Sequence, residues 1–294
     1  MDSTLRPAEV AHIMVDSAIA KHRERYDNLF LKAFVAGVML SFGGLLMEVL
    51  GGGATSLAAS DPGIVKILQG FVFPVGLVMI VLQGLELLTS NMMVMPMGVV
   101  ARAIPWWSVP VNWTIVFFGN LTGSLFFAAI LVKYSGILSA EPYNTFAQHT
   151  ALTKAAVPEW HQIFLRGIGC NWLVCVAVWQ AAGARETISK IFALWIPIWV
   201  FVACSFDHVV ANMFIVPIGM LLGADLSAAA YIRKSLIAAF LGNAVGGLLV
   251  GLPAYWFYLR DYHADGLRTA ETGQALTPPQ SSSQLSSRED KRQQ

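Results

Sequence analysis

Residues 91–98, Asn91-Met92-Met93-Val94-Met95-Pro96-Met97-Gly98, return 121 positions later as Asn212-Met213-Phe214-Ile215-Val216-Pro217-Ile218-Gly219. Asn, Met, Pro and Gly keep their order, and every other position is apolar in both copies. The same offset pairs Glu86 with Asp207, so each copy carries an acid five residues before its Asn. Two further echoes flank this match. Gly119-Asn120 with Gly123 answers to Gly242-Asn243 with Gly246, and Phe30-Leu31-Lys32 answers to Phe164-Leu165-Arg166. Three echoes in one chain order make the second half of the chain a copy of the first.

The copies lie in membrane. The chain is 56% hydrophobic and only 13% charged, whereas a soluble domain is about a quarter charged. A helix needs about 20 apolar residues to cross the hydrocarbon. Six stretches qualify, at roughly 30–50, 64–100, 110–133, 163–182, 188–222 and 231–258. The second and fifth are too long for one plain helix, and these two hold the repeated motif and its acid. Each half is therefore three spans. Because three is odd, the second copy enters the membrane from the opposite face. Inverted repeats with interrupted helices at matching positions mark a transport pathway near the bilayer midplane. Broken backbone at that depth persists only where it is packed in protein or lines a cavity. The expected fold is all-α and integral to the membrane: six transmembrane helices in an inverted 3+3 repeat with two broken helices. Asn91 and Asn212 are expected to cap the half-helices after the breaks, leaving N-terminal N–H groups and helix dipoles to attract an anion. Glu86 and Asp207 are read as braces that accept hydrogen bonds within the breaks. A kink from Pro96 and Pro217 alone does not account for the matched acid and Asn.

His208 breaks the symmetry, since its counterpart in the first half is Leu87. The repeat does not require an imidazole there, and it is the only His in any expected span. Ionisable groups inside a membrane mark function by default, and imidazole titrates near physiological pH. His208 is the first candidate for the pathway. The three cysteines, Cys170, Cys175 and Cys204, lie in apolar runs and suggest no disulfide framework.

Charge and composition narrow the remaining classes. A net charge of +1 without a basic run excludes a nucleic-acid partner, and no phosphate-binding Gly-Lys-Ser loop is present for ATP-driven transport. With six spans both tails share a side. Thirteen Lys and Arg then fall with the tails and six (Lys66, Lys133, Lys154, Arg166, Arg233 and Lys234) on the other side, which puts both termini in the cytoplasm. The organisation expected is a polar N-terminal segment 1–28 with no signal peptide, a transporter domain 29–260, and a disordered tail 261–294 rich in Ser, Gln and Thr.

The stretches "FDHVVANM", "ELLTSNMM" and "CNWLVCVAVW" and the paired "GN..G" elements resemble the formate/nitrite transporter family over about Leu29 to Arg260. The resemblance implies an aquaporin-like homopentamer in which each protomer has its own pore, with lipid in the axial hole. It implies that His208 is the central pore histidine, Asn171 its neighbour on the fourth span, and Thr89 part of the loop breaking the second span. By the same likeness Phe73, Val174 and Phe201 form an outer apolar constriction. Leu77, Leu87 and Leu88 form an inner one, and Lys154 is the vestibule lysine. Asp207 stands where many members have Glu, and Leu88 where an aromatic is common. The look of the tail is similar to fungal members, which makes nitrite in a plasma membrane the first expectation.

The function expected is transport of a small monovalent weak-acid anion, nitrite before formate, lactate, acetate or hydrosulfide, together with a proton. A bare anion in an apolar neck faces a penalty of several kcal/mol, roughly, and its protonated form does not. The expected partners are the anion, the proton, lipid and further copies of the chain. No cofactor, metal or enzymatic activity is expected. The alternative is an aquaporin-like channel for neutral solutes, which calls for Asn-Pro-Ala boxes where this chain has Asn-Met. A haem enzyme needs a second intramembrane His, and a metal on Glu86, Asp207 and His208 is the remaining rival.

Overall fold

The computed structural model describes residues 4–260 and, beyond them, a two-residue antiparallel pair, β1 (Leu267–Arg268) with β2 (Ala275–Leu276). Apart from that pair, the expectation for the tail lies outside the described residues. The rest is helical: α1 (Pro7–Arg23), α2 (Tyr26–Gly53), α3 (Thr55–Ser60), α4 (Pro62–Val72), α5 (Val75–Leu82), α6 (Leu88–Val100), α7 (Ser108–Phe126), α8 (Tyr143–Ala155), α9 (Trp160–Gly183), α10 (Thr187–Ala203), α11 (Val209–Leu221), α12 (Ala228–Ala230) and α13 (Ala238–Tyr258). Wider π-type turns carry α7 on to Tyr134 and join α12 to α13.

Among the described residues five helical runs are long and apolar enough to cross a bilayer: Tyr26–Gly53, Pro62–Leu82, Ser108–Tyr134, Trp160–Gly183 and Ala228–Tyr258. Three shorter apolar helices, α6, α10 and α11, complete the two interrupted spans. The break in the second span runs from Gln83 to Leu87 and that in the fifth from Cys204 to His208. Both breaks use the same backbone. Gly84 (φ 64°) and Ser205 (φ 61°) occupy the left-handed region at matching positions. The next amide in each then bonds back five residues, Leu85 to the Ile80 carbonyl and Phe206 to the Phe201 carbonyl.

The glycines of the "GN..G" echoes set how the spans pack. A Cβ on Gly123 would run into the Phe34 carbonyl, and one on Gly246 into the Ile168 carbonyl. Helices α2 and α7 thereby approach as closely as α9 and α13 do. Without a hydrophobic force between helices in lipid, such small-residue contacts bring backbones together.

The structure extends the repeat beyond three spans. Helix α1 packs on α6 and α8 packs on α11, with Ala18 against Gly98 and Ala151 against Gly219. Each half is thus a short helix plus three spans, and the packed unit begins before the boundary expected at residue 29. The hydropathy windows that find spans pass over both short helices. Their buried faces are narrow, Ala8, Val10, Ala11, Met14 and Ala18 on one and Ala147, Ala151 and Ala155 on the other.

One buried acid belongs to neither break. Glu48 on α2 is 1% exposed, and its carboxyl has the Thr150 hydroxyl of α8 beside it but no hydrogen bond of normal geometry. Such orphaned groups cost about 1–3 kcal/mol. Glu48→Leu is therefore expected to raise the thermal unfolding midpoint of the purified protein. A lower midpoint would show that the carboxyl is held by something in the assembled protein.

Candidate permeation site

The site is built on the two breaks; both are held in the same two ways, and the first break has a third support that the second lacks. The first is an asparagine from the last span of its own half. Asn120 Oδ1 accepts the Leu88 N–H at 3.0 Å, while its Nδ2 donates to the Ala33 carbonyl at 2.8 Å and the Glu86 carbonyl at 2.9 Å. Asn243 repeats this, accepting the Val209 N–H at 2.8 Å and donating to the Gly167 and Asp207 carbonyls, both at 2.9 Å. Backbone groups freed by the breaks are thus paired inside the membrane, where water is not there to do it.

The second is a lysine on the short helix. Lys21 of α1 meets Glu86 Oε1 at 2.5 Å, and Lys154 of α8 meets Asp207 Oδ1 at 3.0 Å. Lys154 also donates to the Ser205 carbonyl at 3.3 Å and the Phe206 carbonyl at 3.0 Å. The third is the repeated asparagine, which reaches its break acid in the first half only. Asn91 Nδ2 donates to Glu86 Oε2 at 2.8 Å and Asn112 Oδ1 at 2.9 Å, and Asn212 Nδ2 to Ser235 Oγ at 3.0 Å.

Two expectations change here. Asn91 and Asn212 do not cap their half-helices; both lie inside them, and the N-cap positions are Leu87 and His208. The N–H groups expected to face the pathway are partly taken, by Asn120 and Asn243. Likewise Glu86 and Asp207 brace the breaks through lysines on separate helices rather than through N–H groups of the loop. The reason is geometric: the loops turn their own carbonyls inward, so they need donors, which Lys and Asn side chains supply.

His208 is where the two halves meet. Its Nδ1 accepts the Ala211 N–H at 3.0 Å, capping α11. Its Nε2 lies 3.0 Å from the hydroxyl of Thr89, the second residue of α6 rather than a loop residue. With Nδ1 occupied as an acceptor, the neutral ring carries its proton on Nε2 and points it toward Thr89. Asn171 does not bond to the imidazole. Its Nδ2 donates to the Thr89 carbonyl at 3.1 Å and the Asn243 carbonyl at 2.7 Å, so it ties the first half to the second behind the histidine.

Above His208 opens a vestibule of about 550 Å³. Phe73, Phe201, Thr150, Lys154, Lys66 and Arg166 are among its walls, and His208 lies at its floor. The Phe73 and Phe201 rings meet edge to face at 5.9 Å, and Phe201 lies over the imidazole at 5.8 Å. The structure brings these two expected constriction residues together at the histidine. Val174 is buried in the same core, as are Leu77, Leu87 and Leu88. A smaller pocket lies on the Lys21 side, lined by Lys21, His22, Ser108 and Asn112 among others. The expectations assigned no role to Lys21, Asn120 or Asn243. The "GN..G" echo pointed to the two asparagines; nothing local pointed to Lys21.

The formate/nitrite transporter family model matches residues 8–257. The chain belongs to the formate/nitrite transporter family. This formate/nitrite transporter is 38% identical over 269 residues to a probable formate transporter of Methanothermobacter thermautotrophicus, covering 87% of this chain and 97% of the relative. Its structure is similar to that of an FNT family ion channel, with a TM-score of 0.75 and 27% identity, over 84% of this chain and 98% of the other. It is also similar to a pentameric formate channel with formate bound, with a TM-score of 0.69 and 31% identity, over 80% of this chain and 98% of the other. The family match and its several apolar helices make it a multi-pass membrane transporter or channel rather than an enzyme.

Proposed function

We propose that this transporter carries a small weak-acid anion, formate or nitrite, together with a proton, through a pore of its own in each protomer of a homopentamer. The observation that carries this reading is the His208–Thr89 pair at the floor of a vestibule, with Phe73 and Phe201 above it. An anion drawn into the vestibule reaches the Phe73–Phe201 neck, where falling dielectric strengthens its hold on a proton. The neutral acid then passes at far lower cost than the charge. His208 acts as a neutral donor: its Nε2–H, now directed at Thr89, turns to the passing acid or anion while Nδ1 stays on Ala211. Lys154 and Asp207 hold the second break as a pair, and Lys21 and Glu86 hold the first. Relatives named for formate support formate as strongly as the tail supported nitrite, and both are planar two-oxygen anions. The pentamer rests on the likeness to the pentameric formate channel. The tails are placed in the cytoplasm and the Lys154 vestibule outside, in a plasma membrane, on the charge bias.

Proteoliposomes test the coupling. Uptake of formate and nitrite is expected to rise several-fold for each unit fall in pH on the loading side, and to dissipate an imposed proton gradient. Anion flux that carries stoichiometric charge, with no alkalinisation of the loading side, would overturn it.

A further inference from the structure

The vestibule above His208 holds a cation that the repeat leaves free. In the first half, Lys32 is tied to Glu24 at 2.9 Å, and that hydrogen bond holds the Glu24 carboxyl below the usual carboxylate range. The matching residue of the second half is Arg166. It is half-buried on helix α9 and lines the vestibule. Among the described residues, no carboxylate lies within ion-pair distance of it. None of the vestibule-lining residues is Asp or Glu. Lys154, the expected vestibule lysine, is spent on Asp207 and two loop carbonyls. The remaining cation of the walls, Lys66, is an exposed point charge, which water screens.

Guanidinium and ammonium recognise anions differently. The planar fork of an arginine offers two parallel N–H groups that match the two oxygens of a carboxylate-like anion, while a lysine offers a point charge. A single-atom anion gains nothing from the second arm of the fork. We propose that Arg166 is the capture residue of this vestibule and that its fork selects planar two-oxygen anions, such as formate and nitrite, over single-atom anions. The proposal deepens the transport reading above and rests on it for the direction of travel, not for the binding itself.

Cys204 supplies a readout that does not depend on flux. It lines the same vestibule and is exposed, whereas Cys170 and Cys175 are buried. The rate at which N-ethylmaleimide labels Cys204 in the full-length protein is measured against rising formate, nitrite or chloride at constant ionic strength. In wild type, formate and nitrite are expected to protect Cys204 at concentrations about tenfold below chloride, the equivalent of about one charge-assisted hydrogen bond. Arg166→Lys keeps the charge and loses the fork, so protection by formate and nitrite should weaken about tenfold while chloride is unchanged. Arg166→Gln should weaken all three, and Lys66→Gln should weaken them equally without changing their order. Size-exclusion profiles matching wild type confirm that the variants are assembled. An Arg166→Lys protein with the wild-type order of protection overturns the proposal, as does wild-type protection that does not distinguish formate from chloride. Failure of the transport reading shows separately, as wild-type liposomes that take up neither formate nor nitrite.

Discussion

His208→Phe is expected to give an assembled protein whose formate or nitrite flux falls by about 10–100-fold, the loss of one hydrogen bond to a charged group or its acid. The ring fills the same space against Phe201, so packing survives. Losing the cap on Ala211 costs about 1 kcal/mol, which a helix buried along its length tolerates. His208→Asn separates two roles. Asn is itself a favoured cap, and its amide can both hold Ala211 and offer a donor, but it does not titrate. If His208 only polarises the site, as its Nδ1 bond to Ala211 implies, Asn keeps a substantial part of the flux and the wild-type pH dependence. If His208 relays the proton, Asn is as inactive as Phe. Wild-type flux in both variants would remove His208 from the pathway.

Asn243→Leu is expected to be the most damaging change in the fold. It orphans the Val209 N–H and the Asp207 carbonyl, at about 1–3 kcal/mol each when buried, and removes the tie to the Gly167 carbonyl inside α9. The break at Cys204–His208 would lose its main support, and with it the cap on α11. The protein should fail to assemble or unfold at a much lower temperature in detergent. Asn243→Asp keeps the acceptor for Val209 and loses both donors, so it should fall between. The same series at Asn120 should give the same order. A stable, transport-competent Asn243→Leu protein would show that the break holds itself.

The sequence determined the architecture because hydropathy and repetition are local or periodic. Six spans, their two interruptions and the doubling of Asn-Met-x-x-x-Pro-x-Gly follow from the apolar stretches of 64–100 and 188–222 and the constant offset between them. The intramembrane His208 was legible for the same reason: a polar residue in an apolar run stands out, and Leu87 at the matching place showed that the repeat does not demand it. Which donor answers which acceptor was not legible. Lys21 meets Glu86 across 65 residues, Lys154 meets Asp207 across 53, and Asn243 meets Val209 across 34. No spacing encodes those pairs, because they form only when the short helices lie on α6 and α11 and glycines let the spans close on one another. Tertiary structure therefore decided that Asn91 and Asn212 sit inside their helices rather than at the caps. It also decided that Lys154 is a partner of Asp207, while Arg166, written in the sequence as the echo of a paired Lys32, was left with its charge free in the vestibule. In a medium without water each buried donor must find a protein acceptor, and that assignment is settled by which surfaces meet.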